Sequence, residues 1–112
     1  MSPKHIIISR TDKIGDVILT LPLAGALKKE FPQVKISFLG NSYTKAVILN
    51  AAHVDSFYDW DEIKNDAVAK MKKIGADAIV HVFPKRPIAS AAKKAGIKIR
   101  IGTSHRVFHW WT

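Results

Sequence analysis

The chain has no cysteine, so disulfides, zinc–thiolate centres and cysteine nucleophiles are excluded. It also has no apolar run long enough to cross a bilayer. The longest, Val17 to Leu27, is interrupted by Thr20, Pro22 and Gly25. The opening Met1-Ser2-Pro3-Lys4 leads straight into a β-branched run, with no signal-peptide cleavage site. These absences predict a cytoplasmic protein. Low-complexity tracts and linkers are missing too, so residues 1–112 are read as one domain. Among the five histidines only His105 and His109 stand four apart, and no acidic residue accompanies them, so no metal is expected.

Acidic residues are scarce. Nine Asp plus Glu face eighteen Lys plus Arg, a formal net charge of +9. Such a surplus attracts polyanions: nucleic acid, acidic phospholipid or a phosphorylated substrate. Hydrophobic residues make up 47% and charged residues 24%, the composition of a globular chain with one buried core rather than a disordered one.

The elements follow from hydropathy. His5 to Ser9 is a continuous β-branched run, the pattern of a strand buried on both faces. Ile14, Val17, Ile18, Leu21, Ala24, Leu27 and Phe31 then recur at helical spacing. Pro22 is predicted to kink that helix and Pro32 to end it. Further strands are expected at Val34–Leu39, Ser56–Tyr58, Ala78–Phe83 and Ile97–Ile101. Helices are expected at Lys45–Asn50, Asp61–Ile74 and Pro87–Ala95, the last two closed by Gly75 and Gly96. Strands alternating with helices at about twenty-residue intervals predict parallel β-α-β units and a doubly wound, Rossmann-like α/β sheet.

In such a sheet, ligands bind beyond the carboxyl ends of the strands. The loop after the first strand reads Ser9-Arg10-Thr11-Asp12-Lys13-Ile14-Gly15-Asp16. It has neither the GxGxxG of a dinucleotide fold nor the GxxxxGK[ST] of a P-loop, so no cofactor is expected. A phosphorelay receiver would need a pair of acids here, and only Asp12 is close enough to the strand end. What the loop offers is a carboxylate, Asp16, in the first turn of a helix, where the dipole favours negative charge and the group can accept a proton from a hydroxyl. Gly15 beside it leaves room for close approach of a substrate. Residue chemistry alone is better served by Asp16 as a stabilising first-turn acid, since acids are common at that position.

The run Ile7-Ile8-Ser9-Arg10-Thr11-Asp12-Lys13-Ile14-Gly15-Asp16-Val17-Ile18-Leu19-Thr20-Leu21-Pro22 resembles the opening motif of the heptosyltransferases, glycosyltransferase family 9, with Thr11, Gly15, Asp16, Thr20 and Pro22 in register. Ala78–Pro84 and Arg100–Arg106 are similar to further stretches of the same family. The resemblance implies a GT-B-type enzyme with two Rossmann-like domains and the active site between them. This chain would be the N-terminal, acceptor-side half, a fragment without the donor-binding domain and inactive alone. Asp16 matches the family's general base, which deprotonates an acceptor hydroxyl for inverting attack on ADP-heptose. Gly15 would admit the acceptor, and Arg10, Thr11 and Lys13 would line its site.

The implied acceptor, a lipid A precursor of the lipopolysaccharide core, is anionic and membrane-embedded. It gives the basic surplus a partner and makes peripheral contact with the inner membrane an expectation. Arg86 is taken as a further acceptor contact, with Lys85, Arg100 and Arg106 also near strand ends. Lys28, Lys29, Lys64, Lys72 and Lys73 read singly as solvated charge. The aromatic tail Phe108, Trp110 and Trp111 suggests interdomain contact or self-association. A rival reading is a non-catalytic Rossmann-like module that binds an anionic ligand or nucleic acid. Phe31, Phe38, Phe57 and Phe83 fall at positions expected in the core rather than on a stacking surface, and no nucleic-acid partner is expected.

Overall fold

A computed structural model describes residues 3–11, 14–82 and 85–102. Five strands, β1 (His5–Ser9), β2 (Lys35–Gly40), β3 (Ser56–Asp59), β4 (Ala78–His81) and β5 (Ile99–Gly102), form one parallel sheet in the order β3-β2-β1-β4-β5. The central strands are apolar because both of their faces are covered: all five residues of β1 are buried.

The helices divide between the two faces. On one lie α1 (Ile14–Glu30) and α2 (Lys45–Leu49), packing Val17, Ala24, Leu27 and Ile48 onto Ile6, Ile8, Ile36, Phe38 and Val80. On the other lie α3 (Trp60–Ile63), α4 (Ala67–Ile74) and α5 (Arg86–Lys94), packing Ile63, Met71, Ile88 and Ala92 onto Ile7, Leu39 and Ile79. Alternate residues of β1 thus feed two separate cores, as a pleat with period two requires. Strand order reverses between β1 and β4, because the first two crossovers run one way along the sheet and the last two the other. Right-handed connections then place their helices on opposite faces. The doubly wound α/β fold is as the sequence predicted.

Several boundaries differ. The helix expected over Asp61–Ile74 is broken into α3, a 3-10 turn at Lys64–Asp66, and α4. Asp59 starts the first piece by accepting from the Asp61 amide at 2.9 Å, and Asp66 leaves helical geometry at φ −142°, ψ 37°. Ile63, Ala67 and Met71 keep a spacing of four throughout and stay buried, so hydropathy did not register the break. β5 starts at Ile99 rather than Ile97, although Ile97 is buried in the turn before it. β4 ends at His81; Phe83 and Pro84 lie outside the described residues. Helix α1 continues through Pro22, which is exposed on its outer side.

The amino end of the sheet is fastened by two carboxylates. Asp77 accepts from the backbone amides of Lys4 and His5 at 2.7 and 2.9 Å. Asp55 accepts from the Ile36 amide and the Lys28 ammonium, both at 2.8 Å. Burial alone would raise the Asp55 pKa, but these bonds and nearby Lys35 outweigh it and hold the carboxyl below its ordinary value.

Candidate functional site

The crevice at the carboxyl edge opens where β1 and β4 lie side by side and their chains leave to opposite faces, into α1 and α5. Backbone bonds tie both exits to the sheet. Arg10 donates its amide to the Leu39 carbonyl at 3.0 Å, and Val82 donates to the Ser9 carbonyl at 3.0 Å. Asn41, just past β2, donates its side-chain amide to the Thr11 carbonyl. Gly40 is packed underneath: a Cβ there would come within 3.2 Å of Phe57 Cε1 and Thr44 Oγ1 and 3.4 Å of the Arg10 carbonyl.

Asp16 sits in the first turn of α1 with its side chain 46% exposed. One oxygen lies 3.9 Å from Arg10 Nη2, close enough for attraction but too far for a hydrogen bond. The carboxylate therefore remains open to an incoming group. Thr20, one turn on and buried, donates its hydroxyl to the Asp16 carbonyl at 2.9 Å. This bond ties the first turn of α1, which carries Asp16, to the second.

Gly15 is exposed, and a Cβ built on it meets nothing within 4 Å. Its φ is not positive. The described part of the chain thus has no steric need for glycine there, while glycine in a helix costs about 0.5–1 kcal/mol relative to alanine. Space beside Asp16 for something outside the described chain is the remaining physical use of that position.

Sequence reasoning did not single out the polar groups that end β1 and β4. Ser9 and His81 are register partners on β1 and β4 and are 1% and 5% exposed. They share the sheet face of Ile7 and Ile79. Among the described residues, neither Ser9 Oγ nor the buried Thr11 Oγ1 has a hydrogen-bond partner. An unsatisfied buried hydroxyl costs on the order of 1–3 kcal/mol, so the site gains when a ligand or neighbouring group supplies one. Burial, then the positive charge of Arg100, lowers the His81 pKa below its ordinary 6.5. The available signal was a polar residue ending each of two otherwise apolar strands.

The structure brings Arg10, Thr11, Gly15 and Asp16 together at the crevice. Arg86 opens α5 on the same rim and is exposed. Arg100, two residues before the end of β5, donates to the Ile97 carbonyl at 2.7 Å. Lys13, Arg106, His105, His109 and the aromatic tail lie outside the described residues. Among the described residues no group of three or more His, Asp or Glu could hold a metal, and no helix is long and apolar enough to cross a membrane. Two open concavities of about 370 and 450 Å³ flank α4 on the opposite layer from α1, lined by such residues as Trp60 and Lys94, or Tyr58 and Lys70. Neither includes the crevice residues.

Fold and site together define a Rossmann-like domain that presents a carboxylate at the head of its first helix, at the topological switch point. Comparison with known proteins narrows this class. No family model matches the chain. Over 107 residues it is 30% identical to a Haemophilus influenzae protein named "Putative glycosyltransferase", an alignment covering 88% of this chain and 30% of that protein.

Among solved structures, the glycosyl transferase family 9 protein of Veillonella parvula superimposes with a TM-score of 0.75 at 23% identity, over 97% of this chain and 34% of that one. E. coli ADP-heptose lps heptosyltransferase II gives 0.74 at 17% identity, over 88% and 30%. E. coli heptosyltransferase WaaC, solved with ADP, gives 0.72 at 17% identity, over 92% and 36%. The chain spans about a third of the length of these relatives. It resembles glycosyltransferase family 9 in sequence motif and in fold.

Proposed function

We propose that this chain is the acceptor-side domain of an inverting, heptosyltransferase-like glycosyltransferase, with Asp16 as general base. The observation that carries this reading is the position of Asp16: at the head of α1, at the switch point, with an exposed carboxylate flanked by Arg10 and by the space at Gly15. In the reaction, Asp16 takes the proton of an acceptor hydroxyl. The oxygen attacks the anomeric carbon of ADP-heptose, a new glycosidic bond forms, and ADP departs with the electrons of the broken bond. Arg10 and Arg86 supply positive charge on the crevice rim for an acidic acceptor, Thr11 is available to bond it, and Lys13 is assigned the same role from sequence.

The donor belongs to a second Rossmann-like domain outside this chain, and the acceptor is the anionic inner core of lipopolysaccharide on lipid A, met at the cytoplasmic face of the membrane. Similarity to a glycosyltransferase and to heptosyltransferase folds supports the reading, as does the Thr11-Gly15-Asp16-Thr20-Pro22 register. The test is transfer from ADP-heptose to a lipid A-core acceptor by the full-length protein, with D16A beside it. Transfer that survives D16A unchanged overturns the assignment of the base. A full-length protein that transfers no heptose overturns the donor.

A further inference from the structure

Asn41 takes no part in the proposed reaction, yet its side chain reaches the segment that leads to Asp16. It follows β2 at the N-cap position of the 3-10 turn Ser42–Thr44, with extended backbone at φ −95° and ψ 154°. An asparagine there ordinarily turns its side-chain oxygen back to an amide of its own helix. Asn41 makes no such bond. Its backbone carbonyl instead accepts from the Thr44 amide at 3.0 Å and from the Thr44 hydroxyl at 2.8 Å. Thr44 is buried, so these two bonds pin the backbone of Asn41 to the core. The side chain is left to donate its amide to the Thr11 carbonyl. A carbonyl only accepts, so Nδ2 is the atom that faces it.

We infer that Asn41 is a positioning residue, holding the segment between β1 and α1 so that Asp16 is presented to the acceptor. Its part in catalysis rests on the proposed role of Asp16 as base. The segment leaves β1 with two fastenings to the end of β2. The Arg10 amide donates to the Leu39 carbonyl at 3.0 Å, and the Thr11 carbonyl accepts from Asn41. Gly40 lets the segment lie close, since a Cβ there would stand 3.4 Å from the Arg10 carbonyl. α1 then begins at Ile14 and carries Asp16 in its first turn. A general base works only within about 2.6–3.2 Å of the proton it takes. A misplacement of about 1 Å can cost about 10²-fold in rate. The first fastening joins backbone to backbone and survives any side-chain change. The second belongs to a side chain, and a substitution can cut it.

N41D and N41A in the full-length protein test this, with kcat and KM measured for ADP-heptose and a lipid A-core acceptor. Aspartate caps a helix as well as asparagine does, but it cannot donate to a carbonyl. Alanine removes the donor without adding charge. Both should lower kcat by about 10–10²-fold and leave the KM for ADP-heptose unchanged. N50D makes the same change at another amide-to-carbonyl bond, Asn50 to Ala46 at 2.7 Å and exposed, and should transfer like the parent. On a D16N background N41D should cost no further activity, because the group it positions is gone. A further loss as large as in the parent overturns the inference. So does a parental kcat in N41D, or a loss that N41A does not share. Hydrogen exchange in this chain reads the same fastening without the reaction. The Ile18 and Thr20 amides lie where the first turn of α1 closes. They should exchange about tenfold faster in N41D, while the strand amides of Ile7 and Ile36 keep parental rates. Equal rates at Ile18 and Thr20 overturn the inference, and so does faster exchange at all four. D16N as active as the parent removes the base reading alone, and exchange still decides whether Asn41 holds the segment.

Discussion

Arg10 and Asp16 face each other across the loop that joins β1 to α1, with Nη2 and Oδ2 3.9 Å apart. The guanidinium is the more buried partner, its side chain 18% exposed, and its backbone amide is anchored to β2. An anchored cation thus stands beside an accessible carboxylate. At this separation the pair adds little to stability.

Removing the Asp16 carboxylate should therefore separate activity from folding. D16N in the full-length protein should slow transfer by about 10²–10⁴-fold, the usual contribution of a general base. Thermal denaturation should shift by no more than the loss of a first-turn acid, about 0.3–1 kcal/mol. A large drop in melting temperature with proportionate loss of activity would mark Asp16 as structural.

Two glycines should respond in opposite ways. G15A places its Cβ in open space and should stabilise α1 by about 0.5–1 kcal/mol. In the full-length protein it should raise the KM for the acceptor. G40A pushes against Phe57, Thr44 and the Arg10 carbonyl and should cost about 1–3 kcal/mol as an overpacked site. Chemical denaturation of both variants with acceptor titrations checks the pair.

Stability should fall on mild acidification. His81 and His5 are both buried, and both have pKa values below the ordinary 6.5. For His81, burial and then Arg100 are the causes; for His5, burial and then Lys35, only partly opposed by Asp77. The unfolded chain binds these protons more readily, so the stability contributed by the neutral rings is complete above about pH 6.5 and declines as pH drops through the folded values. Asp55 contributes separately, below its ordinary 3.8. Melting temperature measured from pH 8 to 5 should decline below 6.5, and H81Q should flatten part of that slope. A flat profile in the parent chain would refute the neutral buried rings.

The layer away from α1 depends on Met71, 1% exposed on α4. M71A should cost about 2–5 kcal/mol by opening a cavity against Ile7 and Ile79. Urea denaturation checks this, and a cost below 1 kcal/mol would mean that the layer collapses to refill the space.

Much of this was legible in the sequence because it rests on local periodicity. The β-branched run of β1, the apolar spacing of α1 and the stops at Gly75 and Gly96, both at positive φ, are properties of a few adjacent residues. The motif around Asp16 belongs to one strand–loop–helix unit, so its residues were placed before any tertiary contact was known. The break between α3 and α4 was not legible, because Ile63, Ala67 and Met71 keep helical spacing across it.

What the sequence by itself determined is the alternation of strands and helices, the acid at the head of the first helix and the size of the basic surplus. Only the tertiary structure decided where that surplus lies, since net charge has no position until the elements are packed together. It also decided that Arg100 turns to the Ile97 carbonyl and that Ser9 and His81 share a buried layer. Those relationships depend on which strands are neighbours. Strand order follows from the handedness of the crossovers and from burial on both faces of the sheet, neither of which is written in any single segment.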